Sequence, residues 1–325
     1  MTVEGLVPNV LISNCIEHGA SRYDGSMIGN AFVKRLKDFV TFIPVCPEVA
    51  IGLPIPREAI RIVKEGQERK LVHSRSGDDV TLAMTEFSQT YCENLKKQNI
   101  HGAIMKSRSP SCGVKDVKMY KSIGKSPSLG EKTSGYFGGT LMAYMPDLVV
   151  EDEGRLTNFN IREHFLTRIY TMADFDQVKE EGTIKSLIKF QSRHKYLLMA
   201  YHQSLQKTLG ALVANHEHLP IETVLVEYEK GLAKALANPL RHGRNTNMLL
   251  HIFGYFKDDL LAEEKAYFLD LLSQYNEKKV PFSVPLSLLG AWVIRYDEKY
   301  LKGQSIFEPF PKGIIDVTDS GKGID

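Results

Sequence analysis

The stretch Ile43-Pro44-Val45-Cys46-Pro47-Glu48 places a thiol and a carboxylate two residues apart, directly after the apolar run at residues 39–43. A run of β-branched and aromatic residues that ends at prolines is typical of a buried strand entering a loop. In an open α/β sheet, ligands bind at the carboxyl ends of the strands. The stretch therefore predicts both a buried strand and a functional loop at its end.

Two further cysteines follow apolar runs in the same way. Cys15 comes after residues 10–12, and Cys112 comes after residues 103–105 and an intervening polar loop. None of the cysteines forms a C-x-x-C pair, so a zinc finger or zinc ribbon is unsupported. Three thiolates on three loops instead fit an iron–sulfur cluster with one iron left open as a Lewis acid. The alternative is that they are small buried residues at strand ends, since free cysteine is often fully buried.

Outward from these loops, the first half of the chain alternates strand-like runs with amphipathic patterns. We predict strands at 10–12, 39–45, 60–63, 71–74, 102–105 and 148–150, and helices at 31–36, 80–99 and 135–145. Such alternation predicts a mostly parallel, three-layer, Rossmann-like α/β domain. The remaining cysteine, Cys92, falls within the helix predicted at 80–99, where we expect it to pack in the core.

The composition changes after residue 150, and nearly every segment from 174 to 307 has a helical period. We predict helices at 161–172, 183–191, 195–214, 221–236, 244–256, 262–275 and 286–293, with Pro281 and Pro285 breaking the last pair. The second half is therefore expected to be an all-α bundle. The predicted division is an α/β domain at 1–155, a linker helix at 156–185, the helical domain at 186–313 and a flexible tail at 314–325.

Composition limits the classes of function. The 325 residues are enough for two domains, and the formal net charge of +2 does not indicate a nucleic-acid binder, so any RNA contact must come from local patches. No apolar run approaches the roughly 20 residues of a membrane span, and residues 1–8 lack the features of a signal peptide. We expect a cytoplasmic protein without a membrane partner, with a monomer favoured and no disulfide framework.

The loops that carry the cysteines also carry groups suited to catalysis. Glu48 would act as a general acid/base in a partly dry site, or would be an ordinary solvated carboxylate. Ser109 and Ser111 would donate hydrogen bonds to a substrate or to cluster sulfur, or would cap a turn. Lys106 and Arg108 add positive charge beside the same loop.

Taken together, these segments resemble the thiouracil desulfidase family over residues 8–150. The resemblance is carried by Cys15, Arg22-Tyr23-Asp24-Gly25, Pro44-Val45-Cys46-Pro47-Glu48, Gly52-Leu53-Pro54-x-Pro56-Arg57 and Ser109-Pro110-Ser111-Cys112-Gly113. One departure is Ile16-Glu17-His18-Gly19, which stands where related sequences tend to have a glycine-rich turn.

The resemblance implies an oxygen-sensitive [4Fe-4S] cluster with three cysteine ligands, Cys15, Cys46 and Cys112, and one open iron. It implies removal of sulfur, as hydrosulfide, from a thiolated uracil without net redox change. Glu48 would be the catalytic acid/base and Ser109 the catalytic hydroxyl. The remaining candidates for substrate binding are Tyr23, Asp24, Arg108 and Ser111.

The second half resembles the YbgA-like helical domain. Matching runs include Arg193-His194-Lys195-Tyr196-Leu197-Leu198-Met199-Ala200 and Asn247-x-Leu249-x-His251-x-x-Gly254-Tyr255-Phe256-Lys257. The two halves, fused in this order, resemble bacterial tRNA 4-thiouridine desulfidases. The fusion implies a tRNA that contains 4-thiouridine as substrate and partner.

The helical half contains basic residues that are candidates for RNA contact. Arg244, Asn247 and His251 share one helix face because they are spaced at i, i+3 and i+7, and Tyr255 on that face could stack a base. The full set of candidates is Arg193, His194, Lys195, Arg241, Arg244, Asn247, His251 and Lys257. The alternative is that these are ordinary solvated charges on helices.

Two other functions remain open. The protein could be a desulfidase of free thiouracil in which the helical half is only structural. It could also be a non-catalytic RNA-binding protein whose cysteines are structural.

Overall fold

The computed structural model describes residues 5–315 and 318–319 of the chain. The chain divides into two compact units, one built from Val7–Ile169 with the described part of Gly313–Asp325, the other from Tyr170–Lys312 with residues 5–6. The division after Ile169 falls within the segment predicted as the linker helix. Most of the tail predicted at 314–325 lies outside the described residues.

The α/β unit is organised around a four-stranded parallel sheet. Its strands are β1 (Asn9–Ser13), β2 (Thr41–Val45), β5 (Gly102–Met105) and β8 (Val149–Asp152), in the order β2-β1-β5-β8. Residue Leu11 of β1 lies between Ile43 of β2 and Ala103 of β5. The helices of this unit are α1 (Ala31–Leu36), α2 (Pro47–Ala50), α3 (Thr81–Leu95) and α4 (Tyr136–Tyr144). The predicted mostly parallel α/β fold is confirmed.

A second four-stranded sheet was only half predicted. It contains β3 (Ile60–Glu65), β4 (Glu68–His73), β6 (Val117–Tyr120) and β7 (Ser128–Thr133) in the order β4-β3-β6-β7. The β3–β4 hairpin follows the expected pattern. Strands β6 and β7 were not predicted. β6 is only four residues long, and β7 exposes most of its side chains.

Apolar side chains from both sheets and from α3 and α4 form the core of this unit. Leu11, Met84, Ala103 and Phe137 are fully buried there, and burying each large apolar side chain contributes about 1.5–3 kcal/mol. Cys92 on α3 is also fully buried in this cluster. The core fixes the strands, and thereby the positions of the loops that leave their carboxyl ends.

The second unit is helical, as predicted. Its helices are α6 (Ile184–Arg193), α7 (Lys195–Ala214), α8 (Ile221–Ala235), α9 (His242–Phe253), α10 (Ala262–Asn276), α11 (Ser283–Arg295) and α12 (Lys299–Lys302), preceded by α5 (Phe159–Glu181), within which the chain divides. A 3₁₀ turn, Gly254–Phe256, follows α9. Pro285 does not break the last helix as expected. It lies in the first turn of α11, where a missing N–H is tolerated.

Within the described part of the chain, no helix is both long and apolar enough to cross a membrane.

Candidate functional site

A cavity of about 250 Å³ opens at the carboxyl end of the parallel sheet. Cys15, Cys46 and Cys112 all line it. They follow β1, β2 and β5, which are adjacent in the sheet, so three loops distant in sequence meet at one edge. The structure thus brings together the three cysteines that the strand pattern singled out.

The loop after β1 is held by backbone hydrogen bonds. Asn14 N donates to Val45 O at 2.8 Å, and Ile28 N donates to Cys15 O at 2.8 Å. Glu17 adopts φ = +60°, a left-handed conformation that glycine adopts most readily. Its carboxylate accepts a hydrogen bond from Asn30 N at 2.5 Å. Glu17 therefore forms the tight turn without the glycines expected at this point.

The loop that carries Cys112 is held against the N-terminus of α4. Tyr136 N donates to Pro110 O and Gly138 N donates to Ser111 O, both at 3.1 Å. A side chain at residue 135 would place its Cβ only 2.5 Å from Ser111 O, so Gly135 is required for this close approach. The loop is therefore fixed by backbone contacts.

A chain of hydrogen bonds joins the two predicted catalytic residues. Ser111 Oγ donates to Glu48 Oε1 at 2.7 Å, and Ser109 Oγ lies 3.0 Å from Ser111 Oγ. Ser109 Oγ also accepts hydrogen bonds from the backbone N–H groups of Ser111, at 3.3 Å, and Cys112, at 3.1 Å. Glu48 and Ser109 both line the cavity, with Ser111 between them.

Arg57 is a site residue that the sequence reasoning missed. Its Nε and Nη2 atoms lie 2.8 and 2.7 Å from Glu48 Oε2, and Nη2 also donates to Ser21 O at 2.9 Å. The Arg57 side chain is only 2% exposed and that of Glu48 12%. The sequence signal was present in the Pro-rich motif that ends at Arg57, but a loop arginine has no periodicity that points to its partner.

Lys106, which lines the cavity, forms a second, partly buried charge pair with Glu153. The Lys106 ammonium contacts Glu153 Oε1, and the other carboxylate oxygen accepts a hydrogen bond from Ser107 N at 2.7 Å. Glu153 follows β8 directly, so the fourth parallel strand also delivers a polar group to this edge. Sequence reasoning noted the charge of Lys106 but assigned no role to Glu153.

Burial affects the protonation of two cysteine thiols at the cavity, those of Cys15 and Cys112. Burial, assisted by the neighbouring Cys46, raises the pKa of the Cys15 thiol to about 11. Burial likewise raises the pKa of the Cys112 thiol. Because thiolates are the metal-binding form of cysteine, these thiols become ligands only when a bound cation offsets the cost of their charge.

Some of the candidates for substrate binding line the cavity and one does not. Tyr23, Arg108 and Ser111 line the cavity. Asp24 does not, because it is exposed and accepts hydrogen bonds from the backbone and hydroxyl of Ser26 at 3.0 and 2.6 Å. Asp24 as a substrate-binding residue therefore stays a prediction, without support from the lining of the cavity.

The predicted RNA-contacting residues in the helical unit also separate into two groups. His194 is 4% exposed, with Nε2 2.6 Å from Asp174 Oδ2 and Nδ1 2.8 Å from Ser305 Oγ, and Arg193 pairs with the same carboxylate. Arg244 donates to the backbone carbonyl of Tyr201. His194 is thus a buried residue rather than a surface contact, because its polar atoms bind other parts of the unit.

The other predicted RNA-contacting residues differ in their exposure to solvent. The amide nitrogen of Asn247 is buried, which places that group away from solvent. Lys195 is half-buried. The exposed members of the predicted set are Arg241, His251 and Lys257.

Two family models match the chain. Residues 10–153 match the family described as 2-thiouracil desulfurase, and residues 195–311 match a protein family of unknown function, DUF1722. The uncharacterized protein YbgA of Escherichia coli strain K12 is 27% identical over 158 residues, which cover 48% of this chain and 93% of that protein.

Two further similarities concern the α/β unit. The uncharacterized protein YbbK of Bacillus subtilis strain 168 is 31% identical over 109 residues, 32% of this chain and 72% of that protein. A solved structure described as the [4Fe-4S]-dependent thiouracil desulfidase TudS is 27% identical, with a TM-score of 0.37, and the match covers 46% of this chain and 93% of that one. Through its residues 10–153, the chain belongs to the 2-thiouracil desulfurase family.

Proposed function

We propose that this protein removes the sulfur atom of 4-thiouridine in tRNA, giving uridine and hydrosulfide. The observation that carries the proposal is the meeting of three cysteines with the Glu48–Ser111–Ser109 chain in one cavity. Membership in the 2-thiouracil desulfurase family supports the desulfidase chemistry. The choice of tRNA as the substrate is the more specific part of the proposal.

The donor set of the cavity fits an iron–sulfur cluster. Within the described residues, no group of three His, Cys, Asp or Glu side chains is arranged to hold a single metal ion. A four-iron cluster does not need ligands that converge on one ion, because each cysteine binds its own iron. Cys15, Cys46 and Cys112 would hold the cluster, as three thiols on separate loops around one cavity. When bound, such a cluster with an open iron supplies a soft Lewis acid suited to a thiocarbonyl sulfur.

The residues around the cavity would perform the proton chemistry. Glu48 accepts a proton from the water that attacks the thiocarbonyl carbon, so that C=S and H₂O become C=O and hydrosulfide. Arg57 and Ser111 hold the two carboxylate oxygens of Glu48 in place. Ser109 offers its hydroxyl to the pyrimidine edge, while backbone N–H groups hold its oxygen from the other side.

Support for tRNA as the substrate comes from the helical unit. Arg241, His251 and Lys257 are exposed, and their side chains offer nitrogen donors of the kind that contact phosphates. A base in a folded tRNA must leave its stack to enter a cavity of this size. The proposed role of the helical unit is to hold the RNA during that step.

The test compares two substrates with anaerobically reconstituted protein. Hydrosulfide release is measured from 4-thiouridine-containing tRNA and from free 4-thiouracil at equal concentrations. The proposal predicts faster release from tRNA at low concentration. Release from the free base alone would make the protein a small-molecule desulfidase, and absence of iron and of any release would favour an RNA-binding protein with structural cysteines.

A further inference from the structure

Three tyrosines from different parts of the helical unit meet around one lysine. Tyr196 lies at the start of α7, Tyr255 on the 3₁₀ turn after α9 and Tyr300 on α12. The rings of Tyr255 and Tyr300 are nearly parallel, at 18°, with centroids 6.2 Å apart. Tyr196 meets both rings edge-on, at centroid distances of 6.3 and 6.4 Å. We call Tyr196, Tyr255, Tyr300 and Lys195 the tyrosine ledge.

The ledge leaves part of its aromatic surface exposed. Tyr196 is 3% exposed and acts as the support, whereas Tyr255 is 40% exposed. The hydroxyl of Tyr196 donates to that of Tyr255 at 3.1 Å, and Tyr300 is half-buried. The hydroxyl groups therefore have partners inside the protein, and the ring of Tyr255 remains available to a ligand.

Positive charge lies over two of the rings. Lys195 Nζ is 5.4 Å from the Tyr196 centroid and 5.9 Å from the Tyr300 centroid, within the range of a cation–π contact. Lys257 and Lys299, both exposed, are close in sequence to the tyrosines. Asp258 and Asp259 are exposed beside Lys257, so the net local charge is small. Such a surface suits a planar, weakly charged ligand better than a row of phosphates.

We propose that the tyrosine ledge stacks an unpaired nucleobase of the RNA substrate. This inference rests on the proposed function, because it needs RNA as the ligand. A base stacked on an aromatic side chain contributes substantially to affinity without requiring a particular sequence. Lys195 is the member of the run 193–195 that reaches this surface, since Arg193 and His194 bind Asp174.

The test measures binding of the full chain to a uridine oligomer of about 12 nucleotides, by fluorescence anisotropy at two salt concentrations. The double variant Tyr255→Leu/Tyr300→Leu removes both rings. Its affinity is expected to fall about 5- to 100-fold, with little change in the salt dependence, because stacking and not phosphate contact is lost. The double Phe variant keeps the rings and is expected to bind like the parent.

The matched control is Tyr267→Leu, which changes a tyrosine on α10 that is 61% exposed and lies outside the ledge. Its affinity should equal that of the parent. Thermal unfolding of each variant separates loss of binding from loss of fold, and the single variant Tyr255→Leu replaces the double variant if the latter does not fold.

Unchanged affinity of a folded Leu variant would overturn the inference, even if the parent binds RNA and releases sulfide from tRNA. Equal losses in the Leu and Phe variants would also overturn it, because the contact would then depend on the hydroxyl groups. If the parent does not bind the uridine oligomer, the inference about the ledge is wrong, whereas sulfide release from 4-thiouridine-containing tRNA would leave the proposed function standing.

Discussion

At the scale of single residues, the carboxylate of Glu48 is held from two sides. Ser111 donates to one oxygen, and the guanidinium of Arg57 lies within 2.8 Å of the other. A carboxylate fixed in this way cannot turn away from the cavity when a substrate enters. Its position, two residues after the N-cap cysteine Cys46 of α2, ties the proposed acid/base group to a proposed cluster ligand through the chain itself.

Replacement of Glu48 by Gln keeps the shape of the side chain and removes its basicity. We expect turnover to fall by about 10²–10⁴-fold, which is the usual contribution of a positioned acid/base. Iron content after reconstitution should be unchanged, because no cysteine is altered. Glu86→Gln, on the exposed face of α3, is the control and should behave like the parent. Near-normal turnover in the Glu48 variant would refute its role.

Arg57→Lys keeps the positive charge and loses the two-pronged contact with Glu48. A misplaced carboxylate is expected to lower kcat by about 10- to 100-fold, while KM changes little, because Arg57 holds the base and not the substrate. Steady-state kinetics with free 4-thiouracil provide the measurement. A rise in KM at constant kcat would instead indicate that Arg57 contacts the substrate.

At the scale of elements, the three strands β1, β2 and β5 act as a frame that carries one cysteine each to the same edge. Cys92 is buried in α3 and belongs to the core cluster. Cysteine therefore occurs in two environments, the cavity and the core. The cysteines at the cavity follow the ends of strands, whereas Cys92 lies within a helix.

Substitution of a strand-end cysteine is therefore expected to have a different result from substitution of the helical one. Cys46→Ser should lose reconstituted iron and activity together. Cys92→Ala should keep both, at a modest cost in stability from the small cavity it creates. Iron per chain, measured after anaerobic reconstitution, decides the question. Loss of iron in the Cys92 variant with retention in the Cys46 variant would exclude the assigned ligand set.

Helix α5 carries a histidine that makes the protein sensitive to acid. Burial, followed by the charge of Arg168, lowers the pKa of His164 from 6.5 to about 4. Below pH 6.5 the unfolded chain binds a proton that the folded chain does not, so the free energy of unfolding falls as the pH falls from 6.5 to about 4. The loss amounts to at most about 3 kcal/mol.

His164→Gln is expected to remove this part of the acid sensitivity. The free energy of unfolding of parent and variant is measured in urea at pH 7 and at pH 4.5. The difference in this free energy between the two proteins is then compared at the two pH values. A difference that does not change with pH would mean that His164 titrates alike in the folded and unfolded chain.

The elements were predictable where their residues repeat with a clear period. Strand β5 and helices α1 and α7 have the predicted bounds, because buried apolar residues define them on the sequence. Strand β7 was missed because its sequence Ser-Leu-Gly-Glu-Lys-Thr is polar and exposed. Its strand conformation depends on pairing with β6, a tertiary contact that has no local signal.

Residues of the candidate site were predictable where a cysteine follows the end of a strand. They were not predictable where a side chain depends on a partner that is distant in sequence. Cys15, Cys46 and Cys112 carry their own signal. Arg57 contacts Glu48 only through a folded loop, and His194 contacts Asp174 across 20 residues of sequence. A run of basic residues on a sequence does not reveal which of them face inward.

At the scale of the whole molecule, the chain joins a cavity-bearing α/β unit to a helical unit, and its formal net charge is only +2. The proposed binding of tRNA would therefore rely on a limited number of phosphate contacts, supplemented by stacking. We expect the affinity for tRNA to fall with added salt, but with a shallower slope than that of strongly basic RNA-binding proteins. Anisotropy titrations across a salt series measure the slope, and a steep slope would assign binding chiefly to phosphate contacts.

In the proposed reaction, the chain hydrolyses a C=S bond in tRNA without net oxidation or reduction. The most direct measurement follows 4-thiouridine absorbance and hydrosulfide together, using anaerobically reconstituted protein and no added reductant. The account predicts one hydrosulfide for each 4-thiouridine lost, with uridine as the product. Loss of the absorbance without matching hydrosulfide, or no loss from tRNA by protein that carries its iron, would contradict it.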